Sequence, residues 1–389
     1  MTFAAGHHAI AIPGPSPVPE RVLRAMHRAS PDIYSDDMVT LNQHLMDQLK
    51  RVAGTTQNVA AFIGNGHAGW EAVNANLIRP GDRVLVLTSG HFGRSWVTYL
   101  GHAGAVVEVI DSGNDQAPDP VRLAERLRQD GDGQIKAVMV CHIDTATGLR
   151  ADLPALRRAM ADHPALFVVD AIASLGSEVL KMDEWGIDVV IAASQKGLMA
   201  PPGIVATWYS DRAAVHESPS AYWNWNLRAN TQATWQRWGG TPPVQLIFAL
   251  SEALTMLLDD EGLDAVWARH EGLAQATWRA FDAWGAGNPD IALNVANPDQ
   301  RARSLTFARM PQADPLRAWT AANAGVTLGI GLAAEPPGSA LRVAHMGHVN
   351  AHMMLGTLAS MQAGMVALGI PFGPGALDAA AAEIAARVG

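Results

Sequence analysis

One cysteine, Cys141, is present in 389 residues, so no intrachain disulfide can form and a reducing compartment is expected. No apolar run approaches the roughly 18 residues needed to span a bilayer. Met1 to Ile12 has neither a basic start nor a long apolar stretch, so no signal peptide is expected and the cytoplasm is the expected location. Positive charge is also scarce. With 28 Lys and Arg against 37 Asp and Glu the net charge is -9, and no basic run would form a stripe along a phosphate backbone. Nucleic-acid and membrane partners are therefore not expected. The sequence has no internal repeat, and no low-complexity tract beyond a short alanine-rich end. What is there, 49% hydrophobic and 17% charged residues with 36 glycines, suits a soluble globular protein large enough for two domains.

From Asn58 onward the pattern alternates regularly. Strands are expected at 59–63, 84–87, 105–110, 137–141, at the run ending in Asp170, at 187–193 and at 204–209. Helices are expected between them at 66–78, 92–100, 120–128 and 153–160. Short strands that are apolar throughout, alternating with helices, predict an α/β fold with a mainly parallel sheet sandwiched by helices. The proline-rich segment Ile10 to Pro19 excludes helix and central strand and reads as an extended arm. Val22 to His27 begins a helix, and Leu41 to Val52 has helical spacing that stops at Gly54. Tyr222 to Trp238, aromatic and polar without a period, reads as an ordered loop. Helices are expected at 243–258, 263–284, 352–368 and 379–388, with strands at 304–307 and 340–344, which together read as a smaller α+β domain.

Two of the strands end on chemistry. Leu166 to Asp170 closes on a carboxylate, and Ile187 to Ala193 closes on Ser194-Gln195-Lys196-Gly197. Parallel neighbours would bring that acid and that amine to the carboxyl edge of the sheet, where open α/β folds bind ligands. A partly dehydrated lysine there can serve as nucleophile or base, and the pair suits an aldehyde cofactor with a pyridinium nitrogen. Taken alone, the two residues also fit an N-cap aspartate and a solvated loop lysine.

Gly64-Asn65-Gly66-His67-Ala68-Gly69 matches the glycine pattern of nicotinamide-binding loops, between a strand and a helix. The next strand ends in Thr88-Ser89-Gly90 and lacks the acid that would hold a ribose. The loop is better read as a phosphate cradle built from the N–H groups of Asn65, Gly66 and His67 at a helix N-terminus. Phe92 opens the next helix at the same edge, either as core or as a ring for stacking. Thr145 and Thr147 follow another strand, as turn partners or as donors to a phenolate or phosphate oxygen. Arg342 stands in the apolar strand Leu341 to Ala344 and needs a carboxylate partner, from the protein or from a substrate. His345, His348 and His352 have spacing open to a metal, but no acids or cysteines complete a set, so they read as surface or interface residues and no metal is expected.

Together these residues resemble the class V, fold-type I aminotransferases that use pyridoxal 5′-phosphate (PLP), nearest the serine–glyoxylate and alanine–glyoxylate enzymes. The resemblance covers essentially the whole sequence. It runs through Pro13-Gly14-Pro15-Ser16, Gly64 to His67, Asp144 to Gly148, Val169 to Ser174, Ser194 to Gly197, Pro201-Pro202-Gly203, Thr241 to Val244 and Leu341-Arg342-Val343. It implies that Lys196 carries PLP as a Schiff base and that Asp170 pairs the pyridine nitrogen. Phe92 would stack on the ring, and Asn65, Gly66, His67 and Gln195 would surround the phosphate, with Thr145 and Thr147 beside the cofactor. Arg342 and Gly14 would meet the substrate. Trp238 and Thr241 would reach the cofactor of a partner subunit, which implies a homodimer or tetramer with a shared site. Trp238 stands where relatives often carry Tyr, and Asn65 where they often carry Ser or Thr. The implied reaction moves an amino group from a small amino acid, serine or alanine first, to a 2-oxo acid, glyoxylate first. The pyridoxamine–pyruvate aminotransferases are also similar around Asp144-Thr145 and His345-Met346-Gly347. A nicotinamide-dependent oxidoreductase is disfavoured by the missing acid. A desulfurase-type lyase is disfavoured because Cys141 falls in a buried strand. The expected division is an arm at 1–20, a large cofactor-binding domain at 21–260 and a small domain at 261–389.

Overall fold

The computed structural model describes residues 2–388. Met1 and Gly389, the outer limits of the expected division, lie outside them.

The larger sheet has seven strands, in the order 58–64, 203–209, 189–193, 166–170, 135–141, 83–88, 106–111. Gly203–Tyr209 runs antiparallel to both neighbours and every other pair is parallel. Successive residues of one strand feed two different cores. Phe167, Val169, Val190 and Ala192 enter one, and Leu166, Val168, Val189 and Ile191 the other. Burial on both faces explains why these strands lack polar alternation, and burying each large apolar residue contributes roughly 1.5–3 kcal/mol.

Two helices of the alternating region start where an aspartate caps them. Asp119 accepts from the Val121 N–H ahead of Pro120–Arg128, and Asp152 from the Ala155 N–H ahead of Leu153–Met160. Helix Gly66–Leu77 lies so close to the sheet that a Cβ on Gly69 would sit 2.5 Å from Ile191 Cγ2. The third glycine of the loop motif therefore serves helix–sheet packing.

A second sheet has five strands in the order 9–11, 326–330, 340–344, 305–309, 292–293. The expected pieces at 304–307 and 340–344 fall on Leu305–Arg309 and Ala340–Ala344. Its core is shared with helices Leu263–Gly287, Ala351–Leu368 and Ala376–Ala385. Ala9–Ala11 pairs in parallel with Val326–Leu328, so the extended segment that follows crosses from this sheet to the larger one. A small apolar cluster, including Ile143, Ala173, Leu305 and Ala344, packs the two sheets together.

The stretch expected as a loop at 222–238 instead holds two short helices, Trp225–Ala229 and Thr234–Arg237. Asn224 caps the first by accepting from the N–H groups of Asn226 and Leu227. Among the described residues no helix is long and apolar enough to cross a membrane.

Candidate active site

The carboxyl ends of the parallel strands open onto a cavity of about 190 Å³. Asn65, Gly66, His67, Phe92, Thr145, Asp170, Gln195 and Lys196 all line it, with Trp70, Ile143, Ile172 and Ala173. Asp170 and Lys196 arrive there because their strands are adjacent and parallel, with Asp170 opposite Ile191.

Asp170 is buried. Its Oδ1 accepts from the Ile172 N–H at 2.8 Å and its Oδ2 from the Trp70 indole N–H at 2.8 Å, with Cys141 Sγ 3.8 Å away. Burial pushes its pKa up to about 6 against the pull of those donors, and the nearby Asp144 adds to the rise. Lys196 moves the other way. Burial first, and the charge of Arg342 second, bring its amine down to about 8, while Asp170 opposes the fall. Its Nζ donates to the Pro13 carbonyl. Ser16 fastens the same segment, with its N–H on Gln195 O at 3.0 Å and its Oγ on Lys196 O at 2.7 Å. Gly14 lies against the amine at φ +102°, and a Cβ there would fall 2.5 Å from Nζ. The crossing segment therefore walls the lysine and admits no Cβ at residue 14.

Arg342 occupies the middle of a central strand of the second sheet, on the face opposite Leu341 and Val343. Its guanidinium donates to two backbone carbonyls, Ile330 at 2.6 Å and Thr145 at 3.1 Å. Among the described residues no carboxylate lies within ion-pair distance of it. Of the two partners the sequence left open, a protein carboxylate is therefore not there. Burial lowers its pKa to about 10, Asp144 offsetting part of that effect.

A family model described as Aminotransferase class-V matches residues 11–333. The protein belongs to the class-V aminotransferases. Its similarity to individual members is nearly full-length. It is 33% identical to the serine–glyoxylate aminotransferase of Methylorubrum extorquens, over 97% of its own length and 96% of that relative's. It is likewise 33% identical to the L-aspartate–glyoxylate aminotransferase of Paracoccus denitrificans, over 96% and 95%. The crystal structure of pyridoxamine–pyruvate aminotransferase from Mesorhizobium loti superposes with a TM-score of 0.90 and 27% identity, covering 100% of both proteins.

Several expectations for this class-V aminotransferase need correction. The Asn65 carboxamide caps the Gly66–Leu77 helix, taking the His67 N–H at 3.1 Å and the Ala68 N–H at 3.4 Å. The cradle thus loses the His67 N–H to the protein itself, while the Gly66 N–H has no acceptor among the described residues. Thr147 lines a neighbouring depression, and its Oγ1 is taken up in the local turn with Asp144 O and the Leu149 N–H. Trp238 does not reach outward. It is 1% exposed, and its indole N–H donates to Asn42 Oδ1 at 2.7 Å inside the core, whereas Thr241 is exposed. His345 is neither a surface residue nor near His348 in role. It is fully buried, bonded to Thr306 and the Arg303 carbonyl, while His348 and His352 are exposed. Among the described residues no group of His, Cys, Asp or Glu is arranged to hold a metal ion.

Two residues at this edge escaped sequence reasoning. Trp70 is one helical turn beyond Gly66 on the same face, a spacing that could have flagged it. Asp144 is an acid three residues beyond the strand that ends at Cys141, next to Thr145, but the sequence does not tell which N–H groups it meets.

Proposed function

We propose that this class-V aminotransferase carries PLP on Lys196 and moves an amino group from a small amino acid, serine or alanine first, to glyoxylate. The observation that carries the reading is a buried amine and a buried carboxylate in one cavity, beside a guanidinium that has no carboxylate of its own. The residues present fit the cofactor. Buried Gln195 Oε1 has no partner, and a carboxamide there can turn an N–H to a phosphate oxygen. The Gly66 N–H stands at the positive end of its helix, where anions are favoured. Phe92 offers a ring on the cavity wall for stacking, and Thr145 a hydroxyl.

When bound, PLP supplies an aldehyde that condenses with amines and a ring that withdraws electrons from Cα. Lys196 Nζ is the amine that would hold the aldehyde. Once freed by the donor amine, it would carry the proton from the donor Cα to the former aldehyde carbon across the shared nitrogen; water would then release the 2-oxo acid, and glyoxylate would take up the amino group by the reverse steps. A pKa near 8 gives that amine the neutral fraction such work needs at neutral pH. Asp170 would hold the ring nitrogen of the cofactor and keep it protonated, since an ion pair stabilises both charges in a dry site. Arg342 binds the donor carboxylate, replacing the ion pair it lacks. The names of the glyoxylate-using relatives support the acceptor. The full-length superposition on a pyridoxamine–pyruvate enzyme supports a second reading, with pyridoxamine as donor and pyruvate as acceptor.

The test is a spectrum. Purified protein reconstituted with PLP should be yellow, with a band that borohydride bleaches. Half-reactions with serine, alanine, aspartate and pyridoxamine should identify the donor, and a colourless protein that binds no PLP would end the proposal. We also keep the division at about residues 20 and 260, a cytoplasmic location and a homodimer with a shared site. Exposed Thr241, with exposed Tyr34, Leu227 and Trp235, supports the dimer, which sedimentation would test.

A further inference from the structure

We propose that Asp144 is the positioning residue of this site: its carboxylate fixes Phe92, Thr145 and Arg342 in one arrangement, and residue 90 is glycine to make room for it. The inference rests on the reading that the cavity holds PLP and that Arg342 holds the donor carboxylate. The mechanism above gives Asp144 no task, yet it is 1% exposed and fully engaged.

Its Oδ2 accepts from the Phe92 N–H at 2.8 Å and the Gly93 N–H at 3.1 Å, and its Oδ1 from the Ala146 N–H at 3.0 Å. The first two are unsatisfied donors of helix His91–His102, whose own cap residue, Gly90, has no side group to serve them. The helix therefore takes its cap from a loop more than forty residues further along, and that loop also presents Thr145 to the cavity. The Thr145 carbonyl then accepts from Arg342. One carboxylate thus ties the backbone of the ring residue to the loop that carries the hydroxyl and steadies the guanidinium. Its charge is also the main favourable one felt by Arg342.

Gly90 gives the second, independent sign. Its φ of 173° is extended backbone open to any residue, so conformation does not require glycine. A Cβ would fall 2.4 Å from Asp144 Cγ and 2.6 and 2.7 Å from its oxygens. Space for the carboxylate is the requirement.

The experiment titrates apoprotein with PLP by tryptophan fluorescence and measures steady-state kinetics and Tm, on wild type and four variants. Asp144→Asn keeps the size but sets an amide N–H against a backbone N–H. It should weaken PLP binding and raise the amino-acid KM by about tenfold each, the scale of a lost charged hydrogen bond, with kcat within about threefold. Gly90→Ala should reproduce both effects by displacing the carboxylate. In the Asp144→Ala background, Gly90→Ala should add less than about twofold, because the clash has gone. A lower Tm for Asp144→Asn with PLP affinity and KM unchanged would reduce Asp144 to a helix cap and overturn the inference. Additive effects of Gly90→Ala and Asp144→Ala would do the same. Should Asp144→Asn not fold, Gly90→Ala alone and combined with Asp144→Ala carries the test. Failure of wild-type protein to bind PLP would instead overturn the proposed function.

Discussion

The two sheets meet the cavity with opposite polarity. At the carboxyl edge of the larger sheet the anions are held by N–H groups, mostly of the backbone: Asp170 by Ile172 and the Trp70 indole, and Asp144 by Phe92, Gly93 and Ala146. At the smaller sheet the cation is held by backbone carbonyl oxygens, with Arg342 on Ile330 and Thr145. Backbone dipoles already fixed by folding need little reorganisation when a charged ligand arrives. The difference is one of kind. Asp170 and Lys196 at the larger sheet would act on the cofactor, Arg342 at the smaller one would act on the substrate, and Asp144 ties the two together. Chemical and binding effects should therefore separate along this line.

The largest break comes at Lys196. Lys196→Ala should lower the transamination rate by at least about 10³-fold, the scale of losing both the nucleophile and the base, with little change in Tm. Near-normal turnover would remove the larger sheet from the chemistry. Asp170→Asn should lower kcat by about 10², comparable to removing one preorganised electrostatic group, with KM nearly unchanged. A parallel loss of stability would instead make Asp170 a structural residue.

On the other side of the line, Arg342→Gln should raise the amino-acid KM by about 10- to 100-fold while kcat falls far less. It should also move Lys196. With a neighbouring cation gone, the pH midpoint for aldehyde capture by apoprotein should rise above about 8. The stability linkage has the matching sign. Between about 8 and the ordinary 10.5 the unfolded protein holds a proton that folded Lys196 has released, so its contribution to stability grows as pH rises through that window. The variant should narrow the window. The smallest effect on activity is expected in the core: Trp238→Phe, which strands Asn42 Oδ1, should cost about 1–3 kcal/mol of stability and leave kcat and KM alone. A change in KM there would put Trp238 back at the site.

The same contrast governs what could be read from the sequence. Strands buried on two faces are apolar throughout and bounded by capped helices, so Leu166–Asp170, Pro120–Arg128 and Leu153–Met160 were legible to the residue. The strand ends then placed Asp170 and Lys196 on one edge without knowledge of the fold. Val326–Ile330 and helix Ala313–Ala324 were missed; the strand is five residues long, contains a glycine, and neither alternates strictly nor is buried throughout. Hydrogen-bond partners were the other limit. Asn65 capping its own helix, Trp238 turning inward to Asn42 and Asp144 reaching back to Phe92 are choices among donors and acceptors that distant segments settle. Motif spacing could nominate those residues but not their partners.

The segment that carries Pro13 and Ser16 has a consequence for how the protein is made. Ala9–Ala11 leaves the ribosome long before its pairing partner at Val326–Leu328. The cofactor-side sheet can assemble in that interval, but the segment that walls Lys196 has only its Ser16 bonds to hold it until residues 326–328 arrive. A nascent polypeptide stalled before residue 326 would thus display a larger sheet whose arm is fastened at Ser16 but not at Ala9–Ala11.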